Sequence, residues 1–492
     1  MTALLRRLYL ITILLLLVAG DLSAATHQIK SADDLDSLIE SGSIAAGDQL
    51  IWVDGTYADQ KIAFNDIDGT EENPIRLVAE TPGGVVLQGA STVRTNSKWW
   101  IIEGFHFDGS SGGANTYNTI QLRGSGDKGA EHVRITNCAF TSLINGDKET
   151  AKWVQIYGRF NRIDHCHFSN KANKGALITI ELGGLGPDES ANHIIESNYF
   201  SDVQRNDGSD NETIRIGFSG DQNKPARCVV RNNVFLRCNG EAEIVSNKSS
   251  YNIYTGNTFR QCNGSLVLRH GHHATVEGNR FFGSGADDAG GIRINDSHHV
   301  IFNNYFQDLT GLTWNAAFSI EGGNKPSGGD SNGYQAVDNL IVLHNSFVNC
   351  RKSIFLSKKH GKRKPTGVFA NNLVAILDSK SNQYETLVDA ELETSGIAWQ
   401  NNFFFGLPPG LANISESADP RLQLKNGAWQ PTNASPLLDA ATGDYPVAKL
   451  DIDGRERSPN ARDIGAFEFE SNADDKSDRP AGRVGTNFLD VK

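Results

Sequence analysis

Three things are scarce in this chain. It has one methionine among 492 residues, little positive charge, and no apolar run after its first twenty residues that could cross a bilayer. A single Met beside 50 glycines and abundant asparagine argues against several packed helical cores, and for one elongated, repetitive body. Lys and Arg number 46 against 58 Asp and Glu, leaving a net charge of −12. That balance excludes nucleic acid as an expected partner. It leaves an acidic substrate open, because the local charge of a site decides what binds there.

The first residues have a compartment signal. Arg6 and Arg7 form a short basic start, Leu8 to Ala19 is mostly apolar, and Leu22-Ser23-Ala24-Ala25 offers small residues for cleavage. The pattern reads as a signal peptide over residues 1–24, cut near Ala24/Ala25, so a secreted or periplasmic protein is expected. A membrane anchor is disfavoured because the apolar run is short. No cysteine follows it to take a lipid, and no membrane association is expected once it is removed.

What the sequence does have is a repeat. An apolar strand is followed by a small or polar pair, one free residue, and Phe. Copies include Asn137-Cys138-Ala139-Phe140, His165-Cys166-His167-Phe168, Ser197-Asn198-Tyr199-Phe200 and Asn232-Asn233-Val234-Phe235. Further copies end at Phe259, Phe281, Phe306 and Phe347, and Asn401-Asn402-Phe403-Phe404 closes the series. Strands repeating at this interval without helical segments between them predict the coils of a right-handed parallel β-helix. The Phe should stack inward from coil to coil, and the Asn before it should form a ladder in the bend.

Cys138 and Cys166 share the ladder position on adjacent coils, and Cys238 and Cys262 each follow a stacked Phe by three residues. A strand spacing of about 4.8 Å is within disulfide reach. In-register parallel neighbours have poor geometry for a bridge, however, so buried free thiols are expected and none is catalytic. Ser31 to Glu40 reads as a short capping helix. The expected organisation is one β-helical domain over residues 25–470, with an irregular end covering the last coil and a mobile tail over 471–492.

A second strand recurs in each coil. Its copies include Ile178-Thr179-Ile180-Glu181, Ile214-Arg215-Ile216-Gly217, Ala242-Glu243-Ile244-Val245, Leu266-Val267-Leu268-Arg269, Ile292-Arg293-Ile294-Asn295 and Phe318-Ser319-Ile320-Glu321. Period-two alternation turns the second and fourth residues outward. Arg215, Glu243, Arg269, Arg293 and Glu321 then gather on one face, with Glu241 beside Glu243. A solvated charged face would also give such a column, but the equivalent positions of the first coils are mostly uncharged, which favours a site. Glu241 and Glu243 supply oxygen ligands suited to calcium, and Asn211 can add an amide oxygen. The basic run Lys358 to Lys364 is either a solvated loop or a polyanion contact, evenly balanced on charge alone.

At Asn211-Glu212-Thr213-Ile214-Arg215-Ile216-Gly217, Glu241-Ala242-Glu243 through Asn247-Lys248-Ser249, and Leu268-Arg269-His270-Gly271, the sequence resembles polysaccharide lyase family 6, the β-helical alginate lyases and their relative chondroitinase B. The likeness extends to Asp451-Ile452-Asp453-Gly454 and Asp463-Ile464-Gly465-Ala466-Phe467-Glu468. It implies calcium on Asn211, Glu241 and Glu243, Lys248 as general base and Arg269 as general acid. Arg293, His270 and Arg215 are then substrate-binding, and Glu321 is assigned to the same set, with a possible role in orienting Arg269. The expected activity is β-elimination on alginate, an acidic uronate polysaccharide, by a chain for which a monomer is favoured. The alternatives are a lyase for dermatan sulfate, a mannuronan C5-epimerase, and a non-catalytic glycan-binding β-helix.

Overall fold

The bends decide the architecture. The first residue of the repeated tetrapeptide takes a left-handed backbone in coil after coil: Asn137 (φ 51°), His165 (52°), Asn232 (55°), Asn303 (55°), His344 (50°) and Asn371 (56°), with Gly256 and Gly278 at 66° and 62°. Asn and Gly reach this region at least cost, so the repeat places them where the chain must turn sharply. Each bend joins two short strands, and each coil adds one strand to three parallel sheets. The computed structural model describes residues 24–110, 118–143, 151–186, 188–204, 209–329, 332–377, 386–469 and 484–489. Among these residues the sheets have 14, 13 and 12 strands, with strand order following the coils, as in a right-handed parallel β-helix. Nearly all of the segment read as a signal peptide, and most of the 471–492 tail, lie outside the described residues.

The second residue of the tetrapeptide forms the ladder. Asn198 Nδ2 donates to Asn233 Oδ1 at 3.0 Å, and the series continues through Asn257, Asn279, Asn304, Asn345, Asn372 and Asn402 at 2.8–3.0 Å. The Phe rings from Phe107 to Phe347 stack with centroids 4.4–5.0 Å apart. Each such pair adds about 0.5–1.5 kcal/mol beyond the apolar area it buries. All six cysteines are buried and free, including the four read as buried thiols, Cys138, Cys166, Cys238 and Cys262.

Helix Ala32–Glu40 closes the first coil, with the Ser31 hydroxyl accepting from the Asp34 N–H at 3.2 Å and Leu35 fully buried. The other end differs from expectation. The chain after Phe403–Phe405 does more than cover the last coil: it doubles back along the outer corner carrying the left-handed residues. The Gly465 N–H donates to the Asn371 carbonyl at 2.9 Å, the Ala466 N–H to Ser346 Oγ at 2.9 Å, and Arg457 Nη2 to Asn303 Oδ1 at 3.0 Å. The cause is local: polar side chains and carbonyls at the bends leave hydrogen-bonding groups that a passing strand can take. Residues 484–489 use the same corner further along, with the Asn487 N–H on Asn137 Oδ1 at 2.8 Å. This short stretch of the expected mobile tail is therefore docked.

Candidate active site

The 12-stranded sheet has the charged face, with one correction to its register. Ile214 pairs with Val245, Arg215 with Ser246 and Ile216 with Asn247, so the strand opposite Ile214–Ile216 starts three residues later than the alternation suggests. Irregularities on either side, between Glu243 and Val245 and between Asn247 and Lys248, release both ends of this strand from strict alternation. The misleading residue is Asn247, which points into the core. Its Oδ1 accepts from the Tyr254 hydroxyl and from Asn252 Nδ2, both at 2.7 Å, while its Nδ2 donates to the His270 carbonyl at 2.7 Å. A buried amide satisfied on every side is invisible to hydropathy. With this register, Lys248 lies opposite His270, next to Arg269.

Glu243 is the hub. Arg293 Nη2 and Ser246 Oγ donate to its two carboxylate oxygens at 2.5 Å each, and Arg269 Nε lies 3.9 Å away. Burial pushes this carboxyl up, but Arg293, Lys248 and the Ser246 hydrogen bond outweigh it and hold the net value below the usual range. Glu241 has the opposite balance: burial, then Glu212 and Glu243, push it up to about 8. Its Oε1 accepts from the Asn211 N–H at 3.1 Å. Glu212, absent from the expected set, is buried with its pKa raised, chiefly by burial; its Oε1 lies 3.6 Å from Lys248 Nζ.

An outward-facing lysine and arginine would be exposed on a bare sheet, yet the side chains of Lys248 and Arg269 are only 17% and 13% accessible. Arg215 and Arg293 are buried, and His270 is fully so, its Nδ1 3.0 Å from Gln335 Oε1 and its pKa depressed to about 4 by burial and Arg269. The arginines point outward from the sheet, but loops cover them. Arg215 is engaged by Asp210 at 2.8 Å and by the Phe218 ring at 4.3 Å. Arg293 lies 5.5 Å from the Trp314 ring, on whose face Lys359 Nζ rests at 3.2 Å. The first part of the basic run is therefore a wall of the site, while Lys362, Arg363 and Lys364 are exposed. Glu321 does not touch Arg269: its partner is His360, Nδ1 to Oε2 at 2.9 Å. Tyr334 and Trp314 escaped the sequence reading because they stand in loops without a period, and His360 was covered only as part of the basic run, with no role of its own.

The expected calcium ligands are oxygen donors of the kind a hard cation takes. Asn211 Oδ1 accepts from the Gly175 N–H at 3.2 Å, and a carbonyl oxygen retains a second lone pair. Among the described residues no three His, Cys, Asp or Glu side chains converge as a metal cluster, so a cation here would rest on two carboxylates and an amide. Burial, then Glu212 and Glu243, disfavour the charged form of Glu241, and a bound cation would favour it, so the donor set fits a hard cation.

The chondroitinase B family profile matches residues 29–404, and the chain belongs to that family, polysaccharide lyase family 6. It is similar to the family 6 alginate lyase AlyGC, with 31% identity, a TM-score of 0.76, and coverage of 87% of this chain but 60% of that one. A mannuronic acid-specific family 6 lyase from human gut microbiota is 28% identical at a TM-score of 0.68, covering 80% of this chain and 88% of the other. A family 6 alginate lyase in complex with a trisaccharide, at 22% identity and a TM-score of 0.68, shares the fold. A comparison with curated protein sequences gives no match.

Proposed function

We propose that this chain is an exported alginate lyase, secreted or periplasmic, acting as a monomer by calcium-assisted β-elimination. The carrying observation is that neighbouring strands bring Lys248, 3.6 Å from Glu212, next to the strand of Arg269, 3.9 Å from Glu243, in a chain of this family. Elimination removes the C5 proton of a uronate, breaks the C4–O bond to the leaving sugar and forms a C4=C5 double bond. Lys248 Nζ takes the C5 proton. Arg269, Arg293 and the wall formed by Lys359 attract the polyanion in an otherwise acidic protein. Guanidinium rarely gives up a proton, so Arg269 acts chiefly on charge developing at the glycosidic oxygen, and water supplies the proton with which the leaving oxygen becomes a hydroxyl. Calcium bound at Asn211, Glu241 and Glu243 would neutralise the substrate carboxylate and so ease loss of the adjacent proton.

The alginate lyases among the similar structures favour alginate, and membership of the chondroitinase B family keeps dermatan sulfate as the second substrate. Product analysis on both polymers separates the readings. A lyase yields unsaturated ends with new ultraviolet absorbance; an epimerase or a binding protein does not. Lys248→Ala and Arg269→Ala should each lower the rate by on the order of a hundredfold or more with the chain still folded. Exhaustive chelation should sharply reduce the rate, and full activity after it would remove calcium from the reading.

A further inference from the structure

Arg269 is held in a way that alternation on its strand does not reveal. Its guanidinium carbon lies 3.8 Å from the centre of the Tyr334 ring, and its Nη1 donates to the Gly333 carbonyl at 2.8 Å. On Tyr334 the His360 imidazole is stacked, with centroids 3.7 Å apart and planes within 4°. His360 in turn donates from Nδ1 to Glu321, which is fully buried with its other oxygen lacking a hydrogen-bond partner. Among the described residues, Glu321 makes no ion pair with Arg269 within 4.0 Å. We propose that Tyr334 and His360 are positioning residues for Arg269, and that Glu321 acts on Arg269 through them.

The backbone supports this path. The Tyr334 carbonyl accepts from the Asn324 and Lys325 N–H groups at 2.8 and 3.0 Å, and the Tyr334 N–H donates to Asn324 Oδ1 at 3.1 Å. The loop bearing His360 is pressed against the same turn at Gly361, where a Cβ would come within 1.7 Å of the Gly323 carbonyl oxygen. An arginine with several rotatable bonds loses little freedom to one hydrogen bond, whereas a ring against its face and a carbonyl at its edge set both tilt and reach. The chain of contacts thus spans two loops that follow the paired strands Phe318–Glu321 and Ile354–Ser357.

This inference rests on the lyase reading, and the test separates the two. On alginate, Tyr334→Leu should lower kcat by on the order of tenfold to a hundredfold with KM within about twofold. Tyr334→Phe, which keeps the ring, should restore the rate. In the Tyr334→Leu background Glu321→Gln should add no further loss. Activity-independent evidence comes from the Arg269 Nε–H resonance, assigned with Arg269→Lys. It should shift in Tyr334→Leu and in His360→Ala, and keep its place in Tyr334→Phe. Equal damage from Phe and Leu, a loss confined to KM, or additive losses with Glu321→Gln would overturn the proposal. Wild-type protein that cleaves no uronate polymer but shows the resonance pattern would sink the lyase reading and leave the contact path standing.

Discussion

Gly361 shows how much a single missing side chain controls. Its φ is +145°, and an added Cβ would meet the Gly323 carbonyl oxygen at 1.7 Å, a backbone atom that cannot swing aside. Gly361→Ala should therefore push the Lys358–Lys364 loop off the cleft. The expected result is at least a tenfold loss of kcat/KM on alginate with thermal stability nearly unchanged, since this loop lies outside the stacked core. Two histidines give a separate test inside the fold. Burial depresses His193 and His299 to about 3. His193 Nδ1 accepts from the Asn161 N–H, and His299 Nδ1 from the Ala274 N–H, each at 3.0 Å. The unfolded chain binds these protons near pH 6.5 and the folded chain does not, so stability falls as pH drops from about 6.5 toward 3. Urea denaturation between pH 7 and 5 should show the decline, and His193→Asn, which keeps an acceptor, should flatten part of it.

At the scale of the element, the ladder and the ring stack divide the work. Phe259 lies between Phe235 and Phe281 at centroid distances of 4.5 and 4.7 Å. Phe259→Ala should cost about 3–5 kcal/mol through the cavity it leaves. Asn257→Ala removes hydrogen bonds to Asn233, Asn279 and the Val230 carbonyl, and should cost less, about 1–3 kcal/mol. Chemical denaturation of the two variants checks the order. The repeat made these elements legible, because each coil restates the same tetrapeptide and an error in one copy is corrected by its neighbours. The Glu243–Lys248 strand was misread for the converse reason: it occurs once, is irregular at both ends, and places Asn247 inward.

For the whole molecule, legibility follows periodicity. Asn211, Glu241, Glu243, Lys248, Arg269 and Arg293 come together because the sheet stacks them coil on coil. Tyr334, His360 and Trp314 arrive from insertions whose course depends on close backbone approaches, and nothing in their spacing points to the cleft. Glu212 stands before the strand Ile214–Ile216, outside the alternation that marks the charged face, and so gives no periodic signal. The doubled-back C-terminal segment was equally hidden, since its anchors are carbonyls and bend residues rather than a pattern.

That segment changes how the solenoid comes apart. A stack of coils held only by nearest neighbours frays from its ends, one turn at a time. Here Arg457, with no accessible side chain, grips Asn303 across 154 positions of sequence, and Asp453 grips Arg280 across 173. The coils between Arg280 and Asn371 cannot peel away singly while those grips hold, so they should open as one cooperative block. For a chain synthesised from its N-terminus, the coils form first and this late-arriving strand fastens them, a clasp closed after the winding is done.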